Sequence, residues 1–192
     1  MTFISAEYHK DWNRKHPEKI KEWNRKGYLR IKERKKRVFD EAINNYVMQM
    51  EEKREDLAYL AGIIDGEGYI GLCLAKDKRF KKKPNLRPVV TISNTNLELL
   101  NWINNTFKYG SFSFSLREDS RQNSRCKTRY RLECASRLNS LKILKAIFPH
   151  LKIKKSQANL VIEFLEKHEY GKYTEQEWEI YWKLRKINKR GV

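Results

Sequence analysis

The sequence predicts an α+β fold: a four-stranded antiparallel sheet with helices on one face, preceded by a basic helical N-terminal extension. Three observations point there. From residue 57 onward, runs of hydrophobic period 3.6 and period 2 alternate in the order αββαββα, followed by further helix. Turn or capping residues bound each run. Residues 1–50 differ in texture, with 13 Lys and Arg against 7 Asp and Glu, a net +6. The expected division is therefore an extension over 1–50 and a main domain over 51–192.

The extension contains a short repeat. Lys10-Asp11-Trp12-Asn13-Arg14-Lys15 recurs eleven residues later as Lys21-Glu22-Trp23-Asn24-Arg25-Lys26. Eleven residues is about three helical turns, so Trp12 and Trp23 fall on one side of a helix interrupted near Pro17. Two readings stay open: the tryptophans lie along a nucleic-acid backbone, or they dock on the main domain.

In the main domain, Leu57 to Asp65 reads as a helix ended by Gly66 and Gly68. Tyr69 to Ala75 alternates as a half-buried strand, with Ile70, Leu72 and Leu74 on one face. The loop from Lys76 to Arg87 is basic and includes Lys81, Lys82, Lys83 and Arg87. Pro88 to Ser93 reads as a second strand and Asn96 to Phe107 as a helix. Ser111 to Arg117 and Arg125 to Ala135 give two more strands. Arg137 to Phe148 is helical and stops at Pro149, and Lys155 to His168 is helical again. Thr174 and Glu177 form a capping box that starts a last helix running to about Asn188. With helices on one sheet face, the other meets solvent or a partner.

Composition narrows that partner. Lys and Arg number 42 against 24 Asp and Glu, a formal charge of +18 with pI near 9.8. Such an excess favours a polyanion, nucleic acid first, with a merely basic or ribosome-bound protein as the plainer reading. The 3 cysteines, Cys73, Cys126 and Cys134, are odd in number and lack paired spacing, so neither a disulfide framework nor a zinc site is expected. The 4 histidines form no ligand pair. With no signal-peptide pattern and no run near the roughly 18 apolar residues of a membrane span, an intracellular setting is expected: cytoplasm or nucleoid, or an organelle matrix in a eukaryote.

The last strand places Arg125, Lys127, Arg129 and Arg131 on one face, and its neighbour adds Arg117. Cations repeated along one strand fit phosphates and base edges, because a β-ribbon enters the major groove and Arg or Lys reads guanine there.

The chemistry rests on Leu60-Ala61-Gly62-Ile63-Ile64-Asp65-Gly66-Glu67-Gly68. Ala58, Gly62 and Gly66 recur every four residues, leaving one helix side bare so that another backbone can approach closely. Asp65 and Glu67 stand at the helix C-terminus, where the dipole disfavours carboxylates and a cation is the natural complement. This stretch resembles the signature of the LAGLIDADG homing endonucleases, and Phe148 to Val161 is similar to the segment after the third core helix of single-motif members. The resemblance covers roughly residues 57 to 168.

It implies a metal-dependent DNA endonuclease using Mg²⁺ or Mn²⁺. Glu67, at the second acid position, would be the metal ligand; Asp65 would brace the helix end instead. Lys154 falls at the active-site lysine and Asn94 at a polar position closing the second strand. Glu98 stands where some relatives carry Arg, and no role transfers to it. The resemblance also implies that Ala58, Gly62 and Gly66 form a subunit interface. Of the 8 glycines only 62–68 can carry the motif, so a second copy must come from another chain, giving a homodimer on a nearly palindromic duplex. Maturases that act on intron RNA, and regulators that lost catalysis, share this scaffold and are the competing expectations.

Overall fold

A computed structural model describes residues 6–75, 85–110, 113–118, 127–168 and 172–189, with side chains from Lys10 onward. Lys81, Lys82, Lys83 and Arg125 lie outside the described residues. The chain divides into two units, Met1–Ala42 and Ile43–Val192.

The first unit is helical. Helix α1 (Ala6–Lys15) and helix α2 (Pro17–Glu51) are separated at His16, which the following proline disfavours as helix; Pro17 then suits the first helical position. The repeated segment is thus split between the two helices. The His16 ring stacks on Trp12 with centroids 4.6 Å apart.

The second unit begins within α2, where Ile43, Tyr46 and Met50 are buried. Its elements are α3 (Arg54–Glu67), β1 (Gly68–Ala75), β2 (Asn85–Asn94), α4 (Leu97–Thr106), β3 (Ser115–Glu118), β4 (Tyr130–Cys134), α5 (Arg137–Ile147), α6 (Lys155–Lys167) and α7 (Glu175–Ile187). All pairings are antiparallel, in the order β1-β2-β4-β3. Helices α3, α4, α5 and α6 pack on the sheet, covering Ile70, Leu72, Val90, Ile92 and Leu132. The expected α+β architecture is present.

Capping chemistry sets several boundaries. Asn96, Ser136 and Thr174 each accept a backbone N–H from three residues on, starting α4, α5 and α7. The Thr174–Glu177 capping box has both arms. Glu177 also meets His168 Nδ1 at 2.6 Å, and the His168 ring stacks on both Phe164 and Tyr173, which are in contact with each other. Asn188, just past α7, donates to the Ile70 carbonyl on β1, at 2.9 Å, tying the chain's last helix to an edge strand.

Some elements differ from expectation. Helix α3 does not stop at Gly66 but runs through Glu67, because Gly66 keeps helical dihedrals and the β1–β2 ladder takes over at Gly68. A Cβ on Gly68 would lie 2.7 Å from the Ile64 backbone, so this tight exit requires glycine. Strand β4 is shorter than 125–135, and Lys127 and Arg129 precede it. Leu74, expected inward, is exposed near the end of β1.

Candidate nuclease site and nucleic-acid interface

The end of α3 gathers the acids that the sequence singles out, and it treats them differently. Asp65 turns its carboxylate away from its own helix and onto the segment entering α6. It accepts the backbone N–H groups of Lys152 (2.7 Å), Ile153 (3.1 Å) and Lys154 (2.8 Å). The electrostatic conflict at a helix C-terminus is thereby resolved, since the carboxylate sits at the start of another helix, where the dipole favours it. Partial burial pushes the Asp65 pKa up. The three N–H donors and the Lys154 charge outweigh that and hold it below the ordinary carboxylate range.

Lys154 completes the clasp from the other side. Its Nζ donates to the Ile64 carbonyl at 2.9 Å, which the Gly68 backbone N–H also bonds, and to the Asp65 carbonyl in the last turn of α3. Burial lowers the ammonium pKa, and the Asp65 carboxylate opposes that shift. Two carbonyls use two of the three ammonium protons.

Glu67 is exposed, and its carboxylate accepts Asn94 Nδ2. Asn94 is itself held, because its Oδ1 accepts the Asn96 backbone N–H at 2.8 Å in the turn leading into α4. Glu67 and Asn94 are therefore in contact, and Lys154 is fastened to the helix end two residues before Glu67. With both Asp65 oxygens engaged by backbone donors, Glu67 is the carboxylate left for a cation. The donor set is hard oxygen, as Mg²⁺ requires, but a single carboxylate falls short of its octahedral demand. No group of three or more His, Cys, Asp or Glu converges among the described residues.

The bare side of α3 faces outward. Ala58, Gly62 and Gly66 are exposed, and a Cβ on either glycine would meet nothing within 4 Å. Leu57, Leu60, Ala61 and Ile64 occupy the opposite, buried side. Beside the helix end, Ile153 is 73% exposed.

On the sheet face opposite Ile70 and Leu72, the strand register aligns Arg117 with Arg131, and Arg87 follows from β2. The same face carries an acid among its cations. Glu133 continues the alternation of Arg129 and Arg131, is only 8% exposed, and pairs with Arg87 at 3.4 Å and with Arg117. The face is therefore not of one sign. An acid joins two arginines from neighbouring strands, which relieves the repulsion a purely basic patch would suffer. The spacing was readable, since Glu133 sits two residues past Arg131. Tyr69 folds over Gly71 on this face; a Cβ on Gly71 would lie 2.5 Å from the tyrosine oxygen. Burial raises the Cys134 thiol to about 12, which leaves it an inert core group.

The four-stranded antiparallel sheet and the helices packed on it match the homing-endonuclease fold. The chain's fold is similar to that of I-CvuI solved in complex with the I-CreI target in the presence of Mg, with TM-score 0.60, 18% identity, and coverage of 73% of this chain and 87% of that one. It is similar also to I-Vdi141I, an archaeal intron-encoded homing endonuclease complexed with DNA, with TM-score 0.57, 18% identity, and coverage of 73% and 88%. The meganuclease I-SmaMI bound to uncleaveable DNA gives TM-score 0.54 and 15% identity, covering 71% of this chain but 45% of that one. No protein-family profile matches the chain, and no curated protein matches it significantly. No helix among the described residues is long and apolar enough to cross a membrane.

Proposed function

We infer that the chain is a site-specific endonuclease of double-stranded DNA, acting as a homodimer by metal-dependent phosphodiester hydrolysis. The observation that carries this reading is the division of labour between two acids two residues apart. Asp65 is consumed by three backbone N–H bonds, and Glu67 is left exposed at the end of a helix whose outer side is bare of bulk.

Glu67 would hold Mg²⁺ or Mn²⁺, and the bound ion would supply charge neutralisation at the scissile phosphate and a more acidic water. Asn94 orients the Glu67 carboxylate through its Nδ2. The remaining Lys154 proton is directed to an anionic oxygen in the transition state, where a fixed donor stabilises developing charge. One carboxylate per chain leaves the donor set incomplete, so a second copy packed across Ala58, Gly62 and Gly66 supplies the other. Exposed Ile153 would add apolar area beside that contact. Arg87, Arg117, Lys127, Arg129 and Arg131 would face DNA, and two such sheets related by a two-fold axis fit a nearly palindromic site.

The test is to incubate the protein with a library of duplex sites in Mg²⁺, beside an EDTA control, and to sequence the cut ends. Metal-dependent double-strand breaks at one sequence are expected. Tight, salt-sensitive binding with no cleavage in any metal would instead favour an RNA maturase or a regulator built on the same scaffold.

A further inference from the structure

The sheet and the motif helix leave the most basic part of the chain without a role. Between Arg25 and Arg37, helix α2 carries eight cations (25, 26, 30, 32, 34, 35, 36, 37) against the single acid Glu33, a net +7. At about 1.5 Å per residue this segment is roughly 20 Å long. Its net charge, one per roughly 2.8 Å, is more than half the linear density of the duplex backbone, about one charge per 1.7 Å. Helical i,i+3 and i,i+4 pairs soak up some cations on α1 and α2, as in Lys21–Glu18 before the segment and Lys26–Glu22 and Arg37–Glu41 at its two ends. Among the described residues, Arg30, Arg34, Lys35 and Lys36 make no such pair.

The angular distribution identifies the partner. At about 100° per residue, the eight cations spread over roughly 260° of the circumference. The remaining strip carries Gly27, Ile31 and Val38. A helix lying on a membrane needs a broad apolar face opposite its charges, and this strip is too narrow. A second copy of the segment would bring +7 against +7. Cations on nearly every side suit a site with phosphate walls on both flanks, which is the major groove of B-form DNA, about 12 Å wide. The deep, narrow major groove of an RNA duplex excludes such a helix. Trp23 and Tyr28, 75% and 67% exposed, lie within the cationic arc, where an isolated soluble helix has no use for aromatic surface.

We propose that residues 25–37 of α2 form a second, sequence-independent duplex-DNA contact that lies in the major groove and is separate from the sheet. It adds affinity through phosphate neutralisation and requires neither Glu67 nor metal.

The test compares the full-length protein with its Arg30→Gln/Arg34→Gln/Lys35→Gln/Lys36→Gln variant. Gln keeps nearly the helix propensity of Arg and Lys, and circular dichroism checks that the helix is retained. Binding to a short random-sequence DNA duplex is measured in EDTA across a salt series, beside an RNA duplex of the same length. Four lost phosphate contacts should flatten the slope of log K against log[salt] by about 3.6, so that wild-type affinity falls about 150-fold more than the variant's between 50 and 200 mM salt. Coincident slopes on DNA, or a change confined to the RNA duplex, would overturn the proposal. Arg117→Gln/Arg131→Gln, assayed in parallel for cleavage of the preferred site, separates the two readings. Unchanged cleavage there would count against the sheet interface while leaving the slope difference of the helix variant intact.

Discussion

Replacing Asp65 with Asn probes the clasp that joins the motif helix to the start of α6. The carboxylate accepts three backbone N–H groups. An amide offers a single acceptor oxygen and turns an NH₂ toward the remaining donors, so at least one bond is replaced by donor facing donor. A hydrogen bond to a charged acceptor contributes about 1.5–3 kcal/mol. Part-exposure lets water compensate and screen, which brings the expected loss to about 1–2 kcal/mol. In urea unfolding with a slope of about 2 kcal/mol/M, the midpoint should fall by roughly 0.5–1 M at pH 7. The pH dependence has a definite sign. The folded-state pKa of Asp65 is depressed, so its stabilisation is fully present above the unfolded value of about 3.9 and is lost as pH falls through the lower folded value. Wild type and Asp65→Asn should therefore differ at neutral pH and converge in acid. Equal midpoints at pH 7, or a difference that persists unchanged below the folded pKa, would refute the reasoning.

The other predictions concern the site's remaining parts. Lys154→Met should slow cleavage by about 10²–10³-fold while leaving DNA affinity nearly unchanged, checked by single-turnover kinetics and equilibrium binding. Gly62→Leu places a side chain in open space in one chain, so the monomer's fold should be retained while sedimentation shows the dimer lost; an unchanged dimer would move the interface elsewhere. Glu133→Gln releases Arg87 and Arg117 from their shared acid. Discrimination between sites should weaken by about 1–3 kcal/mol at the bases those arginines read, with non-specific affinity held or raised by the lost negative charge. Identical site preference in a cleavage-library profile would show that neither arginine reads a base.

The readable parts of this protein were those governed by local rules. Asn96, Ser136 and Thr174 start their helices because side-chain caps act within three residues, alternation in 69–75 marked β1, and 88–93 read as the strand that β2 contains. The site residues were legible as candidates because the motif concentrates them, yet their partners were not. That Asp65 would bond a turn 87 to 89 residues away depends on how α6 enters the fold, which no local pattern encodes. The expected helix stop at Gly66 failed for a related reason: a glycine's freedom matters only where the chain uses it, and here the close approach falls at Gly68. Glu133 shares the face of Arg129 and Arg131 by alternation, but its pairing with arginines of β2 and β3 depends on the strand register, which no local pattern encodes.

The central claim is that Glu67 serves chemistry and not binding. The most direct measurement determines duplex affinity and cleavage rate together for wild type and Glu67→Gln on the preferred site in Mg²⁺. Glu67 is exposed, with Asn94 as its hydrogen-bond partner among the described residues, so the fold should tolerate the change. Near-equal affinity with cleavage abolished is the predicted result. Cleavage at the wild-type rate by Glu67→Gln, or no metal-dependent cleavage by wild type, would contradict it.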